Sequence, residues 1–167
     1  MILGLSTHAF TQLHVITSLI ALATGAFATV GLLSGKLISG WTGLFLATTI
    51  ATSVTGFFFH SKFGPAHVVG IISLGALAVA LIALYSRKLT GRWRAAYVVA
   101  ALFSFYLNAF VAVTQTFQKV AFFNELAPTQ TEPPFKIAQG IFLLLFVAIG
   151  VLALKRFRPS NRTFITA

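Results

Sequence analysis

Cysteine and acidic residues are absent or nearly absent from this chain of 167 residues. The lack of cysteine excludes disulfides, thiolate metal sites, iron–sulfur clusters and cysteine nucleophiles. The only acids are Glu125 and Glu132, so catalysis by paired carboxylates and calcium or magnesium sites rich in carboxylates are not expected. Charged residues make up 8% of the chain and apolar residues 57%, whereas a soluble domain has roughly 25% charged residues. This composition excludes a water-soluble enzyme and a disordered chain.

Apolar runs of sufficient length to cross a bilayer, which takes roughly 20 residues, occur five times. They cover about 10–33, 42–59, 66–85, 95–117 and 137–154. Segments rich in glycine, proline or charge separate them. We therefore predict an all-α fold, in which residues 1–167 form a single transmembrane domain of five helices in the lipid bilayer. Because the second run is short and the fifth is marginal, four spans with a re-entrant segment remain the alternative.

The net charge of +10 comes from basic residues that lie between the apolar runs and at the C-terminus. This placement is typical of membrane proteins, and we expect no nucleic-acid partner. With five spans, one side of the membrane receives nine of the twelve lysines and arginines and the other side three. The larger group is Lys36, Arg87, Lys88, Arg92, Arg94, Lys155, Arg156, Arg158 and Arg162, and the smaller is Lys62, Lys119 and Lys136. Because basic loops stay inside, we predict a cytoplasmic C-terminus and an outer N-terminus.

Imidazole and amide side chains fall at one depth when the spans are placed in this orientation. At a rise of 1.5 Å per residue, His14, His60, His67, Gln115 and Gln139 come out about 10–14 Å from the membrane centre, on the outer side. They come from five different spans. Ionisable side chains within a membrane usually face the interior of the bundle and mark a site. The sequence therefore predicts a histidine-rich site near the outer face.

Three of these residues, His14, His60 and His67, are the candidate cofactor-binding and metal-binding residues. Histidines without nearby thiolates or carboxylates suit haem iron, copper or zinc. A b haem needs two imidazoles from different helices at one depth and small neighbours, such as Gly56 and Gly70, that leave room for the ring. Such a haem would carry electrons between a quinol and an outer redox protein. The alternative is that His60 and His67 make ordinary hydrogen bonds near the headgroups, as we expect of His8, and that His14 bonds to a threonine or glutamine of a neighbouring helix.

The connection 119–136 contains both acids and three of the five prolines. Because proline favours extended and turn conformations, we expect this connection to be an ordered cap over the outer end of the bundle. Glu125 and Glu132 are then candidate acceptors for an imidazole N–H, and Gln115 and Gln139 are candidate polar neighbours of the histidines.

Four segments carry a resemblance to other proteins: LHVITSLIALATGAFATVGLLSGK, FHSKFGPAHVVGIISL, YLNAFVAVTQTF and LAPTQTEPPFKIAQ. In these segments, which cover most of its length, the chain resembles a group of small bacterial multi-span integral-membrane proteins with no established activity. The resemblance implies a location in the bacterial inner membrane and a helical fold. It implies no cofactor and no catalytic residue.

Three functions therefore stay open. The first is electron transfer in the membrane, with a b haem or a copper or zinc ion held by the histidines. The second is a non-catalytic accessory or assembly subunit, whose faces lined by glycine and threonine pack in a larger membrane complex or a homo-oligomer. The third is a small transporter, which an odd number of spans and the lack of a visible inverted repeat disfavour.

Overall fold

The computed structural model describes residues 1–2, 4–59 and 63–158. In these ranges the chain forms α-helices and no strand, apart from an isolated bridge between Ile2 and Leu5. The helices are α1 (Thr7–Leu33), α2 (Ser39–Gly56), α3 (Pro65–Leu81), α4 (Trp93–Lys119), α5 (Ala121–Leu126) and α6 (Pro133–Arg156). A 3-10 turn, Phe57–Phe59, follows α2, and a π-helical turn, Ile82–Ser86, follows α3.

Five of the helices, all but α5, are long and apolar enough to cross a membrane. This finding confirms the prediction of five apolar spans and suggests a multi-pass membrane protein. Large apolar side chains are exposed along each of the five: Leu19, Val54, Ile71, Val99 and Leu144 are examples. In water such a surface would aggregate, whereas lipid chains can cover it.

The connection between α4 and α6 differs from the extended and turn conformations that its prolines predict, because part of it is helical. Residues Ala121–Leu126 form the short helix α5, because the first proline of the connection, Pro128, comes only after them. Helix α6 begins at Pro133 rather than near residue 137. Proline is tolerated in the first turn of a helix, where its missing N–H would have no partner. The cap is therefore a helical turn followed by a short loop.

Helix α4 is central and packs against α1, α2, α3 and α6. Around it α1 packs on α2, α2 packs on α3, and α6 returns to α1. Gly25 permits the close approach of α1, because a Cβ atom at this position would lie 2.7 Å from the ring of Phe105 on α4. The Phe105 ring also contacts Phe45 of α2 and Phe146 of α6, with centroids 5.8 and 5.1 Å away. Four helices thus meet at one level.

The two ends of the bundle differ in packing. We call the end with the connections 34–38 and 87–92 the basic end, and the opposite end the α5 end. The buried core is concentrated toward the basic end, where Leu77 and Tyr97 are almost fully buried. There the guanidinium group of Arg94 donates hydrogen bonds to the carbonyl oxygens of Leu154 and Phe157. The positive charge of Arg94 therefore lies at the C-terminus of α6, where backbone carbonyls have no partner within the helix, and its hydrogen bonds join α6 to α4.

Helix α1 ends at the basic end in a Schellman motif. The N–H of Lys36 bonds the carbonyl of Gly31 at 2.9 Å, and the N–H of Gly35 bonds that of Leu32 at 3.1 Å. Gly35 has a φ of 73°, a conformation that glycine adopts without strain. A Cβ atom on Gly35 would lie 3.1 Å from the carbonyl oxygen of Arg156. The first and last spans therefore meet at this end.

Candidate functional site

A cavity of about 690 Å³ lies in the half of the bundle toward the α5 end. Its walls come from α1, α2, α3 and α4, together with Phe59 after α2 and Val120 after α4. A volume of this size is typical of sites that bind small molecules. The bundle therefore has two halves. The half toward the basic end is densely packed, and the half toward the α5 end contains the candidate site.

Polar side chains line the cavity at two levels. Nearest the α5 end are His14, Gln115 and Lys119, and deeper in the bundle are Ser18, Thr52, Ser53, Ser73 and Asn108. The remaining walls are largely apolar. The groups that can carry a charge, His14 and Lys119, thus lie in the outer part of the cavity, and the inner part holds hydroxyl groups and one amide.

His14 is the imidazole of the cavity and has a defined orientation. Its Nδ1 lies 2.7 Å from Oγ1 of Thr55. The hydroxyl of Thr55 also lies 2.7 Å from the carbonyl oxygen of Ala51. When this hydroxyl donates to Ala51, its oxygen accepts from the imidazole and the proton is on Nδ1. In the neutral imidazole, Nε2 is then the nitrogen with the lone pair.

Two further contacts hold the His14 ring in place. The ring of Phe59 packs edge-on against it, with centroids 4.9 Å apart. Gly56 faces the same ring, since a Cβ atom at Gly56 would lie 3.8 Å from Cε1 of His14. No hydrogen bond occupies Nε2 among residues 1–2, 4–59 and 63–158. His14 can therefore offer Nε2 to a ligand while Nδ1 is held by the protein, as is typical of ligating histidines.

The deeper polar residues are largely paired with one another. The hydroxyl of Ser53 donates to that of Ser73 at 3.2 Å, which joins α2 to α3. The amide of Asn108 donates to Oγ1 of Thr49 at 3.1 Å, which joins α4 to α2. Such bonds are common between membrane helices. Because these groups already have partners, the inner part of the cavity is less polar than its composition indicates.

His67 lies at the start of α3 and is not among the residues that line the cavity. Its Nδ1 accepts a hydrogen bond from the N–H of Gly64 at 3.2 Å. Its ring packs against those of Phe57 and Phe63, with centroids 5.5 and 5.4 Å away. Phe57 also fills the space beside Gly70, where the sequence leaves room for a porphyrin. His67 therefore has capping and packing contacts.

The two glutamines occupy different places. Gln115 lines the cavity, and its amide donates to the side chain of Gln118 at 3.3 Å. Gln139 is buried between α6 and α4, where its amide donates to the carbonyl of Phe110 and the hydroxyl of Thr114 at 3.1 and 3.2 Å. Its Oε1 is buried and makes no hydrogen bond within the described part of the chain. Gln139 thus joins two helices rather than lining the cavity.

The two acids lie in the connection at the α5 end. Glu132 accepts hydrogen bonds from the backbone N–H groups of Thr129 and Thr131 and from the hydroxyl of Thr129. The Thr129 hydroxyl, followed by these N–H groups, holds the pKa of Glu132 below its ordinary value of 4.5. Glu125 is exposed on α5. The hydrogen bonds of Glu132 thus lie within its own loop.

His60, the remaining predicted ligand, lies outside the described residues. Within the described ranges, no group of three or more histidines or acids is arranged to hold a metal ion. The described cavity therefore offers one imidazole, from His14. A metal centre there would need a further ligand.

Three residues of the site are missing from the sequence-based candidates: Thr55, Asn108 and Lys119. Thr55 lies on the face of α2 that meets α1, four residues before Phe59. Hydroxyl residues recur along α2, and their recurrence could have indicated Thr55 from the sequence. In the sequence, Lys119 is only a topology signal, and Asn108 is typical of the polar residues that bond between membrane helices. Depth alone does not reveal which of them reach the cavity.

Searches against protein families, curated proteins and solved structures find no match to the chain. The resemblance to small bacterial membrane proteins therefore stays a prediction, and the geometry of the cavity carries the functional argument.

Proposed function

We propose that the chain is a multi-pass protein of the bacterial inner membrane, with the basic end in the cytoplasm and the α5 end outside. The distribution of lysine and arginine supports this orientation, since nine of the twelve belong to the basic side. Bacterial origin rests on the resemblance of the four segments given above. In this orientation the cavity opens in the outer half of the membrane.

We further propose that this cavity binds a redox-active ligand through Nε2 of His14 and takes part in electron transfer. The observation that carries the proposal is the chain of hydrogen bonds from Nδ1 of His14 through Thr55 to Ala51. The tautomer in which Thr55 donates to Ala51 directs the lone pair of the imidazole to Nε2, at a cavity large enough for a small molecule. A lone histidine within a membrane is expensive unless it has such a role or partner.

A b haem, or a copper or zinc ion, is the metal-centred form of this proposal. Nε2 of His14 would be one ligand, and the metal would supply the electron-transfer chemistry. A second protein ligand is needed, and His60 and His67 are the candidates. The metal-centred form therefore depends on one of these two histidines, of which His67 also packs against Phe57 and Phe63.

The experiment is an absorbance spectrum of the purified protein between roughly 400 and 570 nm, oxidised and reduced, together with metal analysis. We expect His14→Ala to abolish any chromophore or bound metal. His8→Ala is the matched control, because His8 is on the same helix but exposed and outside the cavity. Equal losses in both variants would contradict the role of His14.

An accessory subunit is the second candidate, and a stripe of small residues on α2 favours it. Gly43, Ala47 and Ala51 recur every four residues, and a Cβ atom on Gly43 would meet nothing within 4 Å. Small residues at this spacing allow another helix to approach closely. A colourless, metal-free protein that purifies with a fixed partner or as a homo-oligomer would favour this candidate.

A further inference from the structure

The exposed lining residues of α1 and α4 indicate that the cavity opens between these two helices. Three lining residues remain substantially exposed: Val15 and Leu19 of α1 are 40% and 60% exposed, and Val111 of α4 is 40% exposed. All three lie within helices that are long and apolar enough to cross a membrane, and Leu19 is near the middle of α1. An opening at this level faces lipid chains rather than water. The cavity is therefore accessible from within the bilayer.

The side chains that line the cavity change along the helix axes. On α4 the lining runs from Lys119 and Gln115 near the α5 end to Leu107 and Asn108 deeper in the bundle. On α1 it runs from His14 to Leu22 in the same direction. Since the deeper serines and Asn108 already have hydrogen-bond partners, the free polar groups are concentrated at the outer part. This gradient matches a molecule with a small polar head and an apolar tail.

The polar groups of the cavity also restrict the chemistry of the ligand's polar head. Nε2 of His14 is an acceptor, whereas the ammonium group of Lys119 is a donor. A head that fits both must donate one hydrogen bond and accept another. The phosphodiester of a phospholipid could meet Lys119 but offers no proton to Nε2, so a phospholipid would have to reach Nε2 with a hydroxyl or ammonium group of its head. A hydroquinone offers a hydroxyl donor at one end of its ring and an oxygen acceptor at the other.

We infer that the ligand of the His14 cavity is a membrane-dissolved hydroquinone with an isoprenoid or alkyl tail, which enters between α1 and α4. The inference rests on the proposed ligand-binding role of His14 and names the class of ligand. The hydroxyl of the reduced head donates to Nε2 of His14, Lys119 meets the other oxygen, and the tail lies along Leu19 and Leu107 toward the opening.

The first test measures binding of decylubiquinol and of its oxidised form, decylubiquinone, to the full chain in nanodiscs. Bound ligand is extracted and quantified against empty nanodiscs, under anaerobic conditions. We expect the reduced form to bind about tenfold more tightly, because only it donates to Nε2 and one net hydrogen bond corresponds to about this factor. Equal binding of the two forms, or retention of phospholipid alone, would overturn the hydroquinone assignment.

The second test concerns the opening. Val111→Phe narrows it, and Val99→Phe is the matched control, since Val99 lies on the same helix, is exposed and does not line the cavity. We expect Val111→Phe to reduce decylubiquinol binding at least fivefold and Val99→Phe to leave it unchanged. Equal binding by both variants would overturn entry between α1 and α4.

The third test concerns Thr55 as a positioning residue. Thr55→Val removes the acceptor for Nδ1–H and frees the proton to move to Nε2, so the preference for the reduced form should fall toward unity. Thr48→Val is the matched control, because the Thr48 hydroxyl bonds only to backbone carbonyls of its own helix within the described residues. An unchanged preference in Thr55→Val would overturn the assignment of the acceptor to Nε2.

These outcomes separate the inference from the proposal on which it rests. A haem or metal ion bound through His14 would support the redox function and overturn the hydroquinone. Binding of decylubiquinol that persists in His14→Ala would overturn the role of His14 itself. Loss in His14→Ala and in Val111→Phe, with a preference for the reduced form, supports both.

Discussion

At the scale of single residues, Gly25 has the strongest influence on how closely the helices pack. Its hydrogen faces two aromatic rings from different helices, since a Cβ atom there would lie 2.7 Å from Phe105 and 3.0 Å from Phe45. Both rings are held by further contacts, so neither can move without disturbing α2 or α4. The close approach of α1 to its neighbours therefore depends on the absence of a side chain here.

Gly25→Ala should lower the free energy of unfolding by about 1–3 kcal/mol, the usual cost of overpacking a core. Gly75→Ala is its control, because a Cβ atom at Gly75 would meet nothing within 4 Å. There we expect no loss and a gain of up to about 1 kcal/mol, since alanine favours a helix more than glycine does. Thermal unfolding of both variants in detergent measures the difference, and similar melting temperatures would contradict the packing argument.

The histidines and glutamines show what sequence can predict about individual residues. Their depth follows from helix rise alone, and His14 and Gln115 do reach the cavity. The direction of a side chain around its helix depends on which neighbour the helix meets. Gln139 faces α4 and His67 packs among phenylalanines because of contacts between distant segments, which hydropathy and spacing do not encode.

At the scale of elements, the loop before α6 depends on a single carboxylate. Glu132 accepts three hydrogen bonds from Thr129 and Thr131, which lower its pKa below 4.5. A carboxyl whose pKa is lower in the folded state stabilises that state above its ordinary pKa. The contribution is lost as the pH falls through the lowered value. This loop should therefore loosen at acidic pH while the helices stay intact.

Hydrogen exchange of the Thr129 and Thr131 amides measures this effect. Relative to intrinsic exchange rates, protection should decrease as the pH is lowered from neutrality to below 4.5. In Glu132→Gln the protection should be weak at every pH, because the amide oxygen is a poorer acceptor than a carboxylate. Glu125→Gln should keep the response of the unmodified protein. A pH response that persists in Glu132→Gln would assign the effect to another group.

The five long helices are the part of the fold that sequence predicts best. Bilayer thickness sets a minimum length for an apolar run, and charged residues and glycines mark where each run ends. The short helix α5 was not predicted, because the prolines of its connection favour extended and turn conformations. Hydropathy does not predict the cavity either, because side chains of four helices line it and their packing depends on contacts between distant segments, such as that of Gly25 with Phe105.

At the scale of the whole molecule, the orientation in the membrane can be tested directly because the chain lacks cysteine. Glu125→Cys places one thiol at the α5 end, and Thr90→Cys places one in the connection at the basic end. With a membrane-impermeant maleimide on intact spheroplasts, we expect labelling of Glu125→Cys and none of Thr90→Cys. After permeabilisation both should react. The reverse pattern would place the cavity in the cytoplasmic half of the membrane.

The order of the helices along the chain has a consequence for biogenesis. Every wall of the cavity belongs to α1–α4 or to the residues directly after α2 and α4, and all of these leave the ribosome before α6. The last span adds the contact with α1 at Gly35, which closes the bundle at the opposite end. During membrane insertion, the pocket can therefore assemble, and take up the proposed hydroquinone, before the translocon releases the final helix.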